Sequence, residues 1–125
     1  MRYLTDRKRV RGLGSAKSGT AHFWEQRLSA IALVVLTPLF VIPFAYNLGG
    51  SHADILAAYG HPVNAIIAIA FILTAFLHLF QGLQVVIEDY VHGRAEIVLI
   101  ITARLTCALF ALAGVFSILK IAFTA

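Results

Sequence analysis

Three stretches of this chain carry almost no charge, and they decide what it can become. Residues 28–48 and 63–87 contain no Asp, Glu, Lys or Arg, and residues 97–119 contain only Arg104. Each stretch is roughly 20 to 25 residues long, and a helix rising about 1.5 Å per residue over that length crosses a hydrocarbon core of ~30 Å. A lone segment in lipid must satisfy its own backbone hydrogen bonds, so each reads as a helix. The expected fold class is therefore all-α integral membrane, with three transmembrane helices. The composition agrees. Charged residues are 13% of the chain, hydrophobic residues 60%, and the mean hydropathy is +0.86. A soluble domain carries about 25% charged residues, so lipid has to be part of the solvent here.

The charge is unevenly placed. Arg2, Arg7, Lys8, Arg9, Arg11, Lys17 and Arg27 precede or open the first stretch, leaving Arg94, Arg104 and Lys120 for the rest. A basic tail can bind nucleic acid, but one that abuts long apolar spans acts on orientation and on anionic lipid instead. The tail is expected inside, the first loop outside, the second loop inside and the C-terminus outside; Lys120 is the one mild exception. This divides the chain into a basic tail, 1–20, and a membrane anchor domain, 21–125. The tail is too polar for a secretory leader, so the first span is expected to be retained. A single cysteine, Cys107, cannot close an internal disulfide.

Between the spans, residues 49–62 read as a connection with a short helix over 53–59, and residues 88–96 as a short polar turn containing Gly93. Thr20 is a candidate N-cap for the first helix. Pro38 and Pro43 each remove one hydrogen bond from it.

Polar residues inside the spans are the informative ones, because lipid makes them costly. The second span holds His78, Gln81 and Gln84, and ends in Glu88, Asp89 and Tyr90. At 100° per residue, Thr74, Ala75, His78, Gln81, Gly82, Val85 and Asp89 share one face. His78 thus lies near mid-depth with a small residue on either side, a space that suits a porphyrin held through the imidazole. The same pattern also suits close helix packing, with the histidine bonded to a neighbouring helix. Glu88, Asp89, Tyr90 and His92 read equally as a helix end meeting water or as a site for an amphiphile with a polar head. A quinone would need a hydrogen-bond donor and a proton path there. Arg27 is a topology residue that could also pair with a carboxylate. Arg104, about 10 Å inside the third span, could snorkel or pair with Glu88, Glu96 or a cofactor carboxylate.

The run 78–91 resembles the hydrophobic membrane anchor (D) subunits of succinate dehydrogenase, respiratory complex II. Those subunits carry a histidine, a glycine four residues later, and an Asp-Tyr pair at eleven and twelve; this chain has His78, Gly82, Asp89 and Tyr90. Residues 19–32, which include His22, Trp24, Arg27 and Ser29, resemble the opening of that family's first helix in bacterial members. The signatures of the sister cytochrome b556 (C) subunit are absent.

The resemblance implies a subunit that is not catalytic on its own. It would pair with a cytochrome b556 (C-type) anchor subunit and hold an iron–sulfur subunit and a flavoprotein subunit on the inner face. It implies haem b shared with the partner, with His78 as this chain's metal ligand. It implies ubiquinone as substrate, with Tyr90 hydrogen-bonded to a quinone carbonyl, Asp89 as its acidic neighbour and Arg27 near the haem propionates and quinone. A bacterial inner membrane is expected, with the mitochondrial inner membrane as the alternative. Two rival functions stay open: a fumarate reductase anchor, and a cofactor-free structural or assembly subunit.

Overall fold

A computed structural model describes residues 5–12, 14 and 19–124. Among them there are five helices and no strand: α1 (Asp6–Arg11), α2 (Gly19–Tyr46), α3 (His52–Gly60), α4 (Pro62–Tyr90) and α5 (Arg94–Thr124). The helices α2, α4 and α5 have 28, 29 and 31 residues and are long and apolar enough to cross a membrane. Each runs past its uncharged window on at least one side, because polar residues at a helix end cost nothing once the chain has reached water. In α2, Gly19 is already helical, so Thr20 lies in the first turn and is not the cap.

The three long helices alternate in direction. Ser29 meets His78 and Gln81, whereas Phe40, further along α2, stacks on Phe71, earlier in α4, at 4.5 Å between ring centroids. Likewise Phe76 stacks near Phe110 while Ile72 meets Gly114. The start of α2, the end of α4 and the start of α5 therefore share one side of the bundle, called here the basic side for Arg27 and Arg94.

Both α2 and α5 pack on α4, which is the central helix. Small residues make the close approach between α4 and α5 possible. Ala65 and Ala68 of α4 and Cys107 and Ala111 of α5 are buried. A Cβ placed at Gly114 would lie 3.2 Å from Ile72 Cγ2 and 3.3 Å from its Cδ1. Elsewhere large apolar side chains face outward, Val34, Leu105 and Phe116 among them. Such a surface is stable only against lipid or another apolar subunit.

Helix α2 continues through Pro38 and Pro43. Its last turn tightens, with Asn47 N–H donating to Phe44 O, while the Asn47 side chain donates to Pro43 O at 2.8 Å. Gly49, at φ 87, then reverses the chain. The short helix α3 covers the expected 53–59 segment and lies against α4 and α5. A reciprocal capping box starts it: Asp54 N–H donates to Ser51 Oγ and Ser51 N–H donates to Asp54 Oδ2. Hydrogen bonds from the Ser51 hydroxyl and then its backbone N–H hold the Asp54 carboxyl below its ordinary range. Tyr59 anchors α3, its ring 6.1 Å from Phe40, and burial pushes its phenol pKa up. Pro62 then opens α4 at the position where a missing N–H costs nothing.

On the basic side, α4 ends at Tyr90, with Val91 N–H donating to Ile87 O, and Gly93, at φ 76, turns the chain into α5. The tail contributes the six-residue α1, which buries no residue and was not foreseen from its sequence. Within it, Asp6 and Arg9 form an exposed ion pair at 4.0 Å.

Candidate functional site

Among the described residues, two of the buried ones are polar, and they meet. Ser29 of α2 is 6% exposed and Gln81 of α4 is 3% exposed. Ser29 Oγ lies 2.9 Å from Gln26 O, 3.1 Å from Gln81 Oε1 and 2.9 Å from His78 Nδ1. Serine reaches this place because it is two residues past Arg27, where α2 has entered the apolar layer and turned its narrow side toward α4. His78 and Gln81 are three residues apart and so project from the same side of α4. The cluster ties two helices together through polar groups that lipid could not solvate.

The ring of His78 is half-buried. Its one hydrogen bond among the described residues is at Nδ1, and Nε2 has no partner there. One turn along α4, a Cβ built on Gly82 would meet nothing within 4 Å. Close packing within the chain does not apply to Gly82, whereas Gly114 of α5 does pack closely, against Ile72. An anchored imidazole with one free nitrogen, beside open space, is the donor set that axial ligation of a planar cofactor requires. Among the described residues, no three His, Cys, Asp or Glu side chains converge as a metal site of their own.

Tyr90, Asp89 and Arg27 lie apart from this cluster. Tyr90 ends α4, about 18 Å along the axis from His78, and is 83% exposed. Asp89 is exposed beside it. Neither side chain has a hydrogen-bond partner among the described residues, so both are available to a molecule docking at the basic side. Arg27 is also exposed, its guanidinium 4.4 Å from the Phe23 ring centroid. Gln84 turns back within its own helix, donating to Glu88 Oε1 at 2.8 Å.

The sequence left Arg104 between snorkelling and carboxylate pairing. The structure gives it no ion pair among the described residues and places its guanidinium 5.7 Å from the Phe80 ring centroid. It lines a cavity of about 390 Å³ at the basic half of the bundle, shared with His22, Glu25, Gln81 and Gln84. His22 Nε2 is buried there with no hydrogen-bond partner. Nothing in the residue pattern separated His22 from the other surface histidines, because its burial depends on how α2 meets α4.

Residues 1–120 match the Succinate dehydrogenase/Fumarate reductase transmembrane subunit family. The chain is 45% identical over 93 residues to a Succinate dehydrogenase hydrophobic membrane anchor subunit of Paracoccus denitrificans, covering 74% of this chain and 72% of that one. A protein of the same description from Rickettsia bellii is 37% identical over 84 residues, covering 66% of each chain. A Succinate dehydrogenase membrane anchor subunit of Reclinomonas americana is 34% identical over 80 residues, covering 62% of this chain and 67% of that one. No solved structure matches the chain. A three-helix membrane bundle with these relatives, and with a match across nearly its whole length, belongs to the succinate dehydrogenase/fumarate reductase transmembrane subunit family as a hydrophobic membrane anchor.

Proposed function

We propose that this chain anchors a succinate:ubiquinone oxidoreductase in a bacterial inner membrane, that His78 would hold the iron of a haem b shared with a partner subunit, and that Tyr90, Asp89 and Arg27 contribute to the ubiquinone site. The observation that carries the reading is the state of His78: Nδ1 engaged by Ser29, Nε2 unengaged, and open space beside Gly82. The relatives with the succinate dehydrogenase description favour this direction over a fumarate reductase anchor.

In this reading the chain's orientation puts the basic side inward, where seven basic residues of the first 27 stay with the anionic leaflet. The succinate-oxidising flavoprotein and the iron–sulfur subunit dock on that face, and a cytochrome b556-type anchor covers the outward apolar surface and supplies the second haem ligand. A bound haem b would supply a one-electron store next to the path from the iron–sulfur centres to quinone. The protein residues do the rest. Tyr90 donates its hydroxyl proton as a hydrogen bond to a quinone carbonyl, polarising it as negative charge develops. Asp89, one residue away and open to water, passes protons to the reduced oxygen. Arg27 meets the negative charge of a haem propionate and of the quinone head as it is reduced.

Two variants of the assembled complex test the two halves. His78→Ala should lose or alter the b-type haem spectrum. Tyr90→Phe should slow ubiquinone reduction while leaving succinate oxidation by an artificial acceptor intact. Normal ubiquinone reduction by Tyr90→Phe would remove the tyrosine from the quinone site.

A further inference from the structure

We propose that Ser29 is a positioning residue for His78: its hydroxyl accepts the Nδ1 proton, fixes the ring as the Nδ1–H tautomer, and so presents the Nε2 lone pair to iron. The inference rests on the reading of His78 as an axial ligand and adds to it which residue prepares that ligand, and how.

A serine hydroxyl has one hydrogen to give and two lone pairs to receive with. Two of the three atoms around Ser29 Oγ, Gln26 O at 2.9 Å and Gln81 Oε1 at 3.1 Å, are carbonyl oxygens that only accept. The third is His78 Nδ1 at 2.9 Å. If Nδ1 carried no proton, three acceptors would surround one hydrogen, and two close contacts would set lone pair against lone pair. With Nδ1–H donating, Oγ receives one bond and its single hydrogen serves the two carbonyl oxygens, so the conflicts fall from two to one. Burial sharpens the choice: Ser29 and Gln81 are 6% and 3% exposed, and a buried polar mismatch is costly. A neutral imidazole with its proton on Nδ1 has its lone pair on Nε2, the nitrogen with no partner among the described residues.

The hydrogen bond has a second effect. An acceptor at Nδ1–H makes the ring a stronger electron donor through Nε2. That favours ferric over ferrous iron and lowers the haem potential, one of the levers by which a protein tunes haem. Removing the acceptor should raise the potential.

The test uses the assembled complex as wild type and as Ser29→Ala, Ser29→Thr and His78→Ala. The readouts are a haem redox titration and the rate at which haem transfers to added apomyoglobin. Ser29→Ala should raise the midpoint potential and speed haem loss by about tenfold or more, the usual size of such an outer-shell effect. Ser29→Thr keeps the hydroxyl and should stay near wild type. If the alanine variant does not assemble, Ser29→Cys, of similar size but a weak acceptor, carries the same expectation. A haem with wild-type potential and retention in Ser29→Ala, while His78→Ala loses it, would overturn this inference and leave the ligand reading standing. Equal changes in Ser29→Ala and Ser29→Thr would mark the site as packing and also overturn it. A wild-type complex without haem would overturn both.

Discussion

Two glycines in this chain do different work, and a paired substitution separates them. A Cβ at Gly114 would lie 3.2 and 3.3 Å from two carbons of Ile72, whereas one at Gly82 would meet nothing within 4 Å. Ordinary carbon contacts fall at about 3.5–4.0 Å, so a methyl at 114 is short by a few tenths of an ångström on both carbons. Ile72 cannot simply step aside, because a β-branched side chain in a helix has one strongly preferred χ1 and Cγ2 sits on the branch. Alanine at 114 should cost about 1 kcal/mol and valine, with two further methyls, about 3 kcal/mol, the range of overpacked cores. Gly82→Val should leave the packing of the chain's own helices unchanged. It should instead fill the space beside His78 and lower the haem content. The assay is thermal unfolding of the detergent-purified complex, read with the haem-to-flavin ratio. Gly114→Val should melt earlier with haem still bound below the transition. Gly82→Val should keep its subunits and lose haem. A full haem complement in Gly82→Val, or an unshifted melting transition in Gly114→Val, would refute the division.

Three further outcomes follow from the geometry. Tyr90→Phe removes one neutral hydrogen bond to quinone, worth about 1 kcal/mol, so ubiquinone reduction at limiting quinone should fall about fivefold with assembly unchanged, as a steady-state assay with artificial-acceptor control would show. Asp54 is held below its ordinary carboxylate value by Ser51, so its contribution to α3 is complete above the unfolded carboxylate pKa and is lost as pH falls through the depressed folded value. NMR titration should find the Asp54 midpoint moved up in Ser51→Ala; an unchanged midpoint would remove the capping box as its cause. Gln81→Leu deletes one bond of the buried cluster while Ser29 keeps Gln26 and His78, so stability in detergent should drop by about 0.6 kcal/mol, the average for such bonds between membrane helices.

The sequence made some of this legible for physical reasons that hold before any fold is known. The three long helices could be read because a charge in hydrocarbon is costly, so long windows with almost no charge mark where they lie. His78 and Gln81 stood out for the same reason, and helix geometry placed them on one face. Their partner could not be read. Ser29 lies in a different span, and its meeting with His78 depends on the vertical register of α2 against α4, which the Phe40–Phe71 stack and the small residues of the bundle set together. The environment of Arg104 was hidden likewise: its nearest aromatic, Phe80, belongs to α4 and its cavity is bounded by three helices. The sequence offered two readings for the small residues either side of the histidine, and the open space at Gly82 bears on them only once the fold is known. The short helix α1 escaped because five charged residues around a single Val10, with no buried face, leave no periodic signal.

The central claim is that His78 bonds iron through a nitrogen left free by its contact with Ser29. A reduced-minus-oxidised visible spectrum of the native complex beside its His78→Ala variant tests it most directly. The account predicts a b-type haem signal in the wild type that disappears or changes ligation in the variant. A b-type spectrum of unchanged position and intensity in His78→Ala, with the complex intact, would contradict it.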